Sequence, residues 1–329
     1  MPRQYLLSID GGGIRGIIPA CALAKLEDAT GKLTRDTFSF VAGTSTGAII
    51  AAGVPAARIR DLYLTRAREV FTTYPWNILK RIVKGSMYST QKLYDMIAGE
   101  ADSTRNKKLN DFDTDLLITA KGFPDGIPWY FVRDDPPNNS GCTGRLGLVD
   151  CATASAAAPT YFEPWTIRED TEPPAGCKRV GTVVDGGVGV TGNPVYQACV
   201  EAFYYTGEKY KPEETTTVSL GTGRYASRQR PTWIWPWLNW VIGELLESPG
   251  EQQTEIARRH FPQMTFYRID TELKEDIGLD DVGSVDRLRE YGERLAELID
   301  WEAILAGSHT RFSIGPEKTL WPQYKQSVA

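Results

Sequence analysis

The amino-acid sequence predicts an α/β protein with a mostly parallel sheet, and three observations carry that expectation. Residues 5–9 (YLLSI) are short, apolar and β-prone, and they stop at Asp10 and three consecutive glycines. A helical pattern then runs from Ile14 to about Thr30, with Ile17, Ile18, Cys21, Leu23, Ala24 and Leu26 on a broad apolar face and Gly31 placed as a stop. A second apolar run, Phe38 to Ala42, meets Gly43 and then a small-residue helix, Ala48 to Ala52. Strand, loop, helix, strand, turn, helix is how a parallel sheet with crossover helices begins.

Further elements follow the same rules. Residues 90–98 (TQKLYDMIA) read as a helix with Thr90 as N-cap. Asp115–Ala120, Trp129–Val132, Thr182–Asp185 and Thr217–Leu220 read as strands. Val285–Ile299 carries Val285, Leu288, Tyr291, Leu295, Leu298 and Ile299 at helical spacing, which is the pattern of a helix packed on a core. Asp134–Gly144 and Arg168–Gly176, rich in Pro, Gly and polar residues, read as surface loops. Beyond Gly223 comes a Trp/Pro-rich stretch, RPTWIWPWLNW at 230–240. Trp233, Trp235, Trp237 and Trp240 suit either a membrane–water interface or a seal over the core.

Composition excludes several classes. The chain has 329 residues, 41% hydrophobic and 24% charged, and no stretch approaches the ~18 to 20 apolar residues of a membrane span. A net charge of -5 gives no basic footprint for nucleic acid. Five cysteines, odd in number and without a CxxC, indicate neither a disulfide framework nor a zinc site. The N-terminus lacks a secretory h-region, so a cytoplasmic location is the expected default.

Three stations carry the chemistry. Gly43-Thr44-Ser45-Thr46-Gly47 is a G-x-S-x-G between a strand and a helix, where flanking glycines let the backbone turn sharply and expose the Ser45 hydroxyl. Asp10-Gly11-Gly12-Gly13-Ile14-Arg15-Gly16 also joins strand to helix, and its glycines suit an oxyanion hole made of backbone N–H groups. The stretch matches G-x-G-x-x-G too, but Asp10 would oppose a pyrophosphate and the next strand ends in a serine turn, not in a ribose-binding acid. Asp185-Gly186-Gly187 ends an apolar run with room for close backbone approach, so Asp185 is the candidate base once burial has raised its basicity. His260 and His309, the two histidines, follow Ser45 and Asp185 in the order of an α/β-hydrolase triad. Topology argues against that arrangement, because only one clear strand and helix precede the serine turn.

Taken together and in this order, the three stations resemble the patatin-like phospholipase family. Ala154-Ser155-Ala156-Ala157-Ala158-Pro159, Asn193-Pro194 and Ser219-Leu220-Gly221-Thr222-Gly223 extend the resemblance over residues 4–223, the expected catalytic domain, with 224–329 as a C-terminal extension. One departure is Val188 to Gly192, where the family usually has a second Asn before Asn-Pro. The resemblance implies a three-layer α/β/α sandwich and a Ser-Asp dyad. Ser45 would attack a lipid ester and Asp185 would accept its proton. Gly11, Gly12 and Gly13 would bind the oxyanion, with Arg15 and Gly16 completing that loop, while Gly43 and Gly47 flank the nucleophile and Gly186 and Gly187 follow the base. It implies no metal and no organic cofactor. The expected activity is that of a lipid acyl hydrolase of phospholipase A type at a membrane or micelle surface. The alternatives are a nucleotide-activated, membrane-degrading effector of bacterial defence and a neutral-lipid hydrolase or acyltransferase. Expected partners are the lipid alone, with no nucleic acid; self-association stands open.

Overall fold

The computed structural model describes residues 4–71, 85–101, 104–133, 142–169, 172–225, 237, 249–308 and 311–314, with no side-chain description at 311–313. The strands are β1 (Gln4–Ile9), β2 (Phe40–Gly43), β3 (Ser86–Tyr88), β4 (Asp115–Gly122), β5 (Pro128–Val132), β6 (Thr160–Phe162), β7 (Trp165–Thr166), β8 (Thr182–Asp185), β9 (Thr215–Leu220), β10 (Thr265–Ile269) and β11 (Arg311–Ile314). The helices are α1 (Ile17–Thr30), α2 (Thr34–Thr37), α3 (Thr46–Ala51), α4 (Ala56–Val70), α5 (Thr90–Glu100), α6 (Leu148–Ser155), α7 (Val195–Val200), α8 (Pro249–His260), α9 (Val285–Leu298) and α10 (Trp301–Ala306). Trp233, Trp235, Trp240 and His309 lie outside the described residues, as do residues 134–141 of the first expected loop and 170–171 of the second. Trp237 is 41% exposed.

Nine strands form one sheet in the order β11-β10-β9-β1-β2-β4-β8-β7, with β5 paired to β4. Neighbours from β11 to β4 along this path are parallel. The pairings of β8 and β5 with β4, and of β7 with β8, are antiparallel. The register places the site. Gly43 at the end of β2 lies opposite Ile118, and Asp185 at the end of β8 lies opposite Ala120. One strand, β4, therefore holds the ends of β2 and β8 two residues apart.

Side chains alternate across the strands, so the sheet has two cores. Leu7, Ile9, Val41 and Ile118 pack with buried residues of α1, α3, α4, α5, α6 and α9. Leu6, Phe40, Ala42 and Leu117 pack with Val195, Ala198, Cys199, Ala257 and Phe261 of the α7–α8 layer and its flanks. Helices thus cover both faces of a mostly parallel sheet, as expected. α1 is nearly enveloped: nine of its residues from Ile17 to Leu26 are buried. It stops where expected, with Gly31 at φ 64 donating its N–H to Glu27.

Two local expectations shift. Phe38 is not in β2, because its N–H closes the short turn of α2 on Thr34. The N-cap of α5 is Ser89, and Thr90 is the first helical residue, its hydroxyl donating across to the Glu163 carbonyl at 2.6 Å.

A larger correction concerns the cysteines. Cys142 and Cys177 form a disulfide across a separation of 35 residues. Spacing could not reveal it: the partners lie on two separate loop regions, which the Arg145–Glu169 pair at 2.8 Å also joins. Cys21, Cys151 and Cys199 are buried free thiols. Protein denatured without reductant is therefore expected to show three titratable thiols, and five after reduction. Opening this loop is expected to cost up to about 4 kcal/mol of stability by the chain-entropy relation. Five thiols before reduction would show the bridge open. Since disulfides persist mainly in oxidising compartments, the same count tests the expectation of a cytoplasmic location.

Candidate active site

The serine turn is closed to side chains. A Cβ built on Gly43 would lie 2.3 Å from the Gly47 carbonyl oxygen, and one on Gly47 would lie 2.3 Å from the Ile9 carbonyl oxygen. With both neighbours pressed against backbone, the chain reverses at Ser45 itself, which takes φ 55, ψ −121. A side chain in that region is strained, and it persists only where its surroundings fix it. The Ser45 N–H donates to Ser155 Oγ at 2.9 Å. Thr44 Oγ1 lies 2.7 Å from Thr119 Oγ1 and donates to the Thr191 carbonyl at 2.5 Å. The Thr46 hydroxyl bonds the Tyr63 hydroxyl.

Asp185 ends β8 with its N–H on the Ala157 carbonyl at 3.0 Å. Its side chain is almost wholly buried, accepts the Gly187 N–H at 2.7 Å and lines one pocket with Ser45. Burial raises its pKa to about 7, against the smaller lowering effects of the Ser45 hydroxyl and the Gly187 N–H. Gly186 is pressed against Thr119: a Cβ there would meet Thr119 Oγ1 at 2.1 Å. The departure at residues 188–192 leaves a well-tied wall. The Thr191 hydroxyl bonds the Gly186 carbonyl, and Asn193 is fully buried, with its Oδ1 accepting from Val195 N–H at 2.9 Å.

The glycine loop divides its labour. Gly11 N–H donates to the Gly192 carbonyl at 2.8 Å, so it is spent on holding the two loops together and cannot serve an oxyanion. Among the described residues, the N–H groups of Gly12 and Gly13 have no protein partner. Arg15 is buried, and its Nε reaches the Gly12 carbonyl at 3.5 Å. Gly16 packs on Thr46, where a Cβ would stand 2.0 Å from Oγ1. Behind the loop, burial lifts the Asp10 pKa to about 6, while Arg268 opposes the rise with hydrogen bonds of 3.1 and 2.7 Å to its two carboxylate oxygens.

These pieces converge on one pocket. Gly11, Gly12, Gly13, Arg15, Ser45, Asp185 and Gly187 line it together with Phe71, Ala156, Ala158, Tyr161, Phe162, Gly192 and Leu279. Its walls are mainly apolar, and its polar residues are Arg15, Ser45, Tyr161 and Asp185 beside the glycine backbone. Gly16, Gly43, Gly47 and Gly186 stand behind it as packing positions. His260 is elsewhere, on α8, with Tyr196 OH 3.0 Å from its Nδ1 and Tyr204 OH 3.4 Å from its Nε2. Among the described residues no group of three His, Cys, Asp or Glu side chains is arranged to hold a metal ion.

Sequence reasoning noted Ser155 and Thr222 only as parts of motifs, without a role, and missed Arg268 and Leu279. Thr222 Oγ1 donates to the Gly11 carbonyl at 2.9 Å, and its side chain fills the space beside Gly12. Leu279 joins the pocket wall and accepts the Ile14 N–H at 2.9 Å. Both contacts span more than 200 residues, and no local pattern marks them.

Comparison with known proteins agrees with this geometry. Residues 7–198 match the family model described as patatin-like phospholipase. Patatin-like protein 2 of Arabidopsis thaliana is 30% identical over 85% of this chain and 78% of its own. A cGAMP-activated phospholipase of Vibrio cholerae is 30% identical over 88% of this chain and 90% of its own. An 85/88 kDa calcium-independent phospholipase A2 of Rattus norvegicus is 27% identical over 85% of this chain and 37% of its own. The chain belongs to the patatin-like phospholipase family and is a carboxylic ester hydrolase of the lipid acyl hydrolase type.

Proposed function

We propose that the protein cleaves the acyl ester bonds of membrane lipids, as a phospholipase A type hydrolase, through a dyad of Ser45 and Asp185. The observation that carries this reading is the placement of Ser45 and a buried Asp185 together in the lining of one apolar pocket, close enough for the Ser45 hydroxyl to act on the Asp185 carboxyl. Asp185 takes the hydroxyl proton as Ser45 Oγ forms a bond to the ester carbonyl carbon. The carbonyl oxygen becomes an oxyanion, facing the Gly12 and Gly13 N–H groups. Collapse breaks the bond to the alcohol oxygen, which leaves with the proton from Asp185. Water then attacks the acyl-Ser45 ester, again giving its proton to Asp185, and the fatty acid departs as Ser45 is reprotonated. Phe71, Tyr161, Phe162 and Leu279 supply the apolar wall for the acyl chain.

Access to lipid is as a peripheral protein at the membrane face; no helix among the described residues is long and apolar enough to cross a membrane. The Vibrio cholerae relative, named for activation by cGAMP and matched over 90% of its length, favours a second reading in which a cyclic nucleotide switches the enzyme on. Comparing lipid hydrolysis with and without the cyclic dinucleotide separates the two.

Ser45→Ala and Asp185→Asn are each expected to lower turnover of a lipid or small ester by about 10⁴-fold or more, because nucleophile and base act as one unit. Substantial turnover in Ser45→Ala would sink the dyad.

The raised pKa of Asp185 fixes the sign of the pH dependence. The base must be ionised, so kcat/KM should climb about tenfold per pH unit below about 7 and level off above it. Stability runs the other way: the folded state holds the Asp185 proton more tightly than the unfolded chain, so this group's contribution falls as pH rises from about 4 to about 7. Asp185→Asn should then melt no lower than wild type at neutral pH, and a clearly lower melting temperature would contradict the burial argument.

His260→Ala is expected to keep kcat within about threefold of wild type, whereas loss of a general base costs about 10²-fold or more. A loss of that size in folded protein would favour a triad.

A further inference from the structure

Asp10 immediately precedes the glycine loop, and its carboxylate is almost fully buried. Both of its oxygens are taken by one guanidinium. Arg268 Nη1 donates to Oδ1 at 3.1 Å and Nη2 to Oδ2 at 2.7 Å, the fork that arginine alone can offer a carboxylate. Arg268 stands on β10, two strands from β1, with its side chain 13% exposed. Its Nη1 also donates to Ser219 Oγ at 2.8 Å on the intervening strand, and its Nη2 to Asp270 Oδ2 at 3.3 Å. Asp270 in turn accepts the N–H groups of Gly223 and Thr271, both at 2.9 Å. Gly223 follows Thr222, whose hydroxyl holds the Gly11 carbonyl and whose side chain occupies the place a Gly12 Cβ would take. The glycine loop is thus gripped at both sides, at Asp10 directly and at Gly11 and Gly12 through Asp270, Gly223 and Thr222. Both routes meet at Arg268.

We infer that Arg268 is a positioning residue for catalysis, setting the aim of the Gly12 and Gly13 N–H groups through its fork to Asp10 and its bond to Asp270. The inference rests on the dyad reading. Arg268 does not line the pocket, so it touches neither the ester nor Ser45. Its effect is geometric: the donors are useful only where the oxyanion forms, and the loop that carries them has no side chains of its own to fix it. Substrate binding in the apolar wall does not depend on that aim. The expected signature is therefore a fall in kcat with KM retained.

The test uses three variants of the full chain with a small soluble ester, beside Ser45→Ala. Arg268→Lys keeps the buried charge but loses the fork. Arg268→Met removes the charge. Asp10→Asn/Arg268→Met removes the pair together, which is tolerated better than stranding one buried partner. Each is expected to lower kcat by about 10 to 100-fold, the scale of a misplaced reacting geometry, with KM within about threefold. Arg268→Lys should melt near wild type. Unchanged kcat in folded Arg268→Lys and the double variant overturns the proposal. So does a raised KM at constant kcat, and so does a loss that merely tracks the folded fraction. In each of these cases an inactive Ser45→Ala leaves the dyad reading standing. Turnover retained in Ser45→Ala instead removes that reading, and this proposal with it.

Discussion

The burial of the Asp185 carboxylate beside Ser45 is the constraint that the surrounding fold serves. In water an aspartate, with a pKa of ~3.9, is a feeble proton acceptor for an alcohol. Burial at the end of β8 raises it to about 7, which is where a base begins to be useful at neutral pH. Removing water also removes the solvent that would otherwise satisfy the carboxylate. The Gly187 N–H takes its place at 2.7 Å. That arrangement needs Ser45 held at a strained backbone angle, and the Ser155 and Thr44 contacts hold it there.

Burial raises the pKa of two carboxylates at the same edge of the sheet, Asp185 to about 7 and Asp10 to about 6, and they differ in what holds them. Asp185 accepts the Gly187 N–H but, among the described residues, has no guanidinium beside it, so its charge stays costly and its affinity for a proton high. Asp10 is equally buried but is forked by Arg268, so its charge is spent on fixing backbone. The separation between the two lies in their partners, a backbone N–H for one and a guanidinium for the other. The glycine loop shows the same separation at the level of N–H groups. Gly11 is committed to Gly192, while Gly12 and Gly13 are left without a protein partner among the described residues.

The pocket also depends on chain that lies far from the three stations. Leu279 and Arg268 come from residues 249–308, and β10 of the same region continues the parallel sheet beside β9. One wall of the pocket and the anchor behind its glycine loop therefore form only when this later part of the chain docks on β9 and α1.

Much of this was legible in the residues themselves. Apolar runs cut off by Gly or Asp gave β1, β8 and most of β9 to within a residue or two, because strand burial and turn chemistry are local signals. Glycines packed against backbone flank Ser45 for the same local reason. Each of Ser45, Asp185 and the glycine loop could be proposed because each stands at the end of a strand, but only the sheet decided that antiparallel β8 meets the end of β2 along β4. Tertiary structure alone decided the rest. Whether Asp185 is basic depends on burial, which no sequence window contains. Which glycine N–H groups remain available depends on Gly192, and what anchors their loop depends on Arg268, some 180 and 258 residues away. The bridge between Cys142 and Cys177 joins two loop regions 35 residues apart that meet only in the folded chain. Contacts of that range leave no periodic trace, since their partners are chosen by sheet order and register and not by neighbours along the chain.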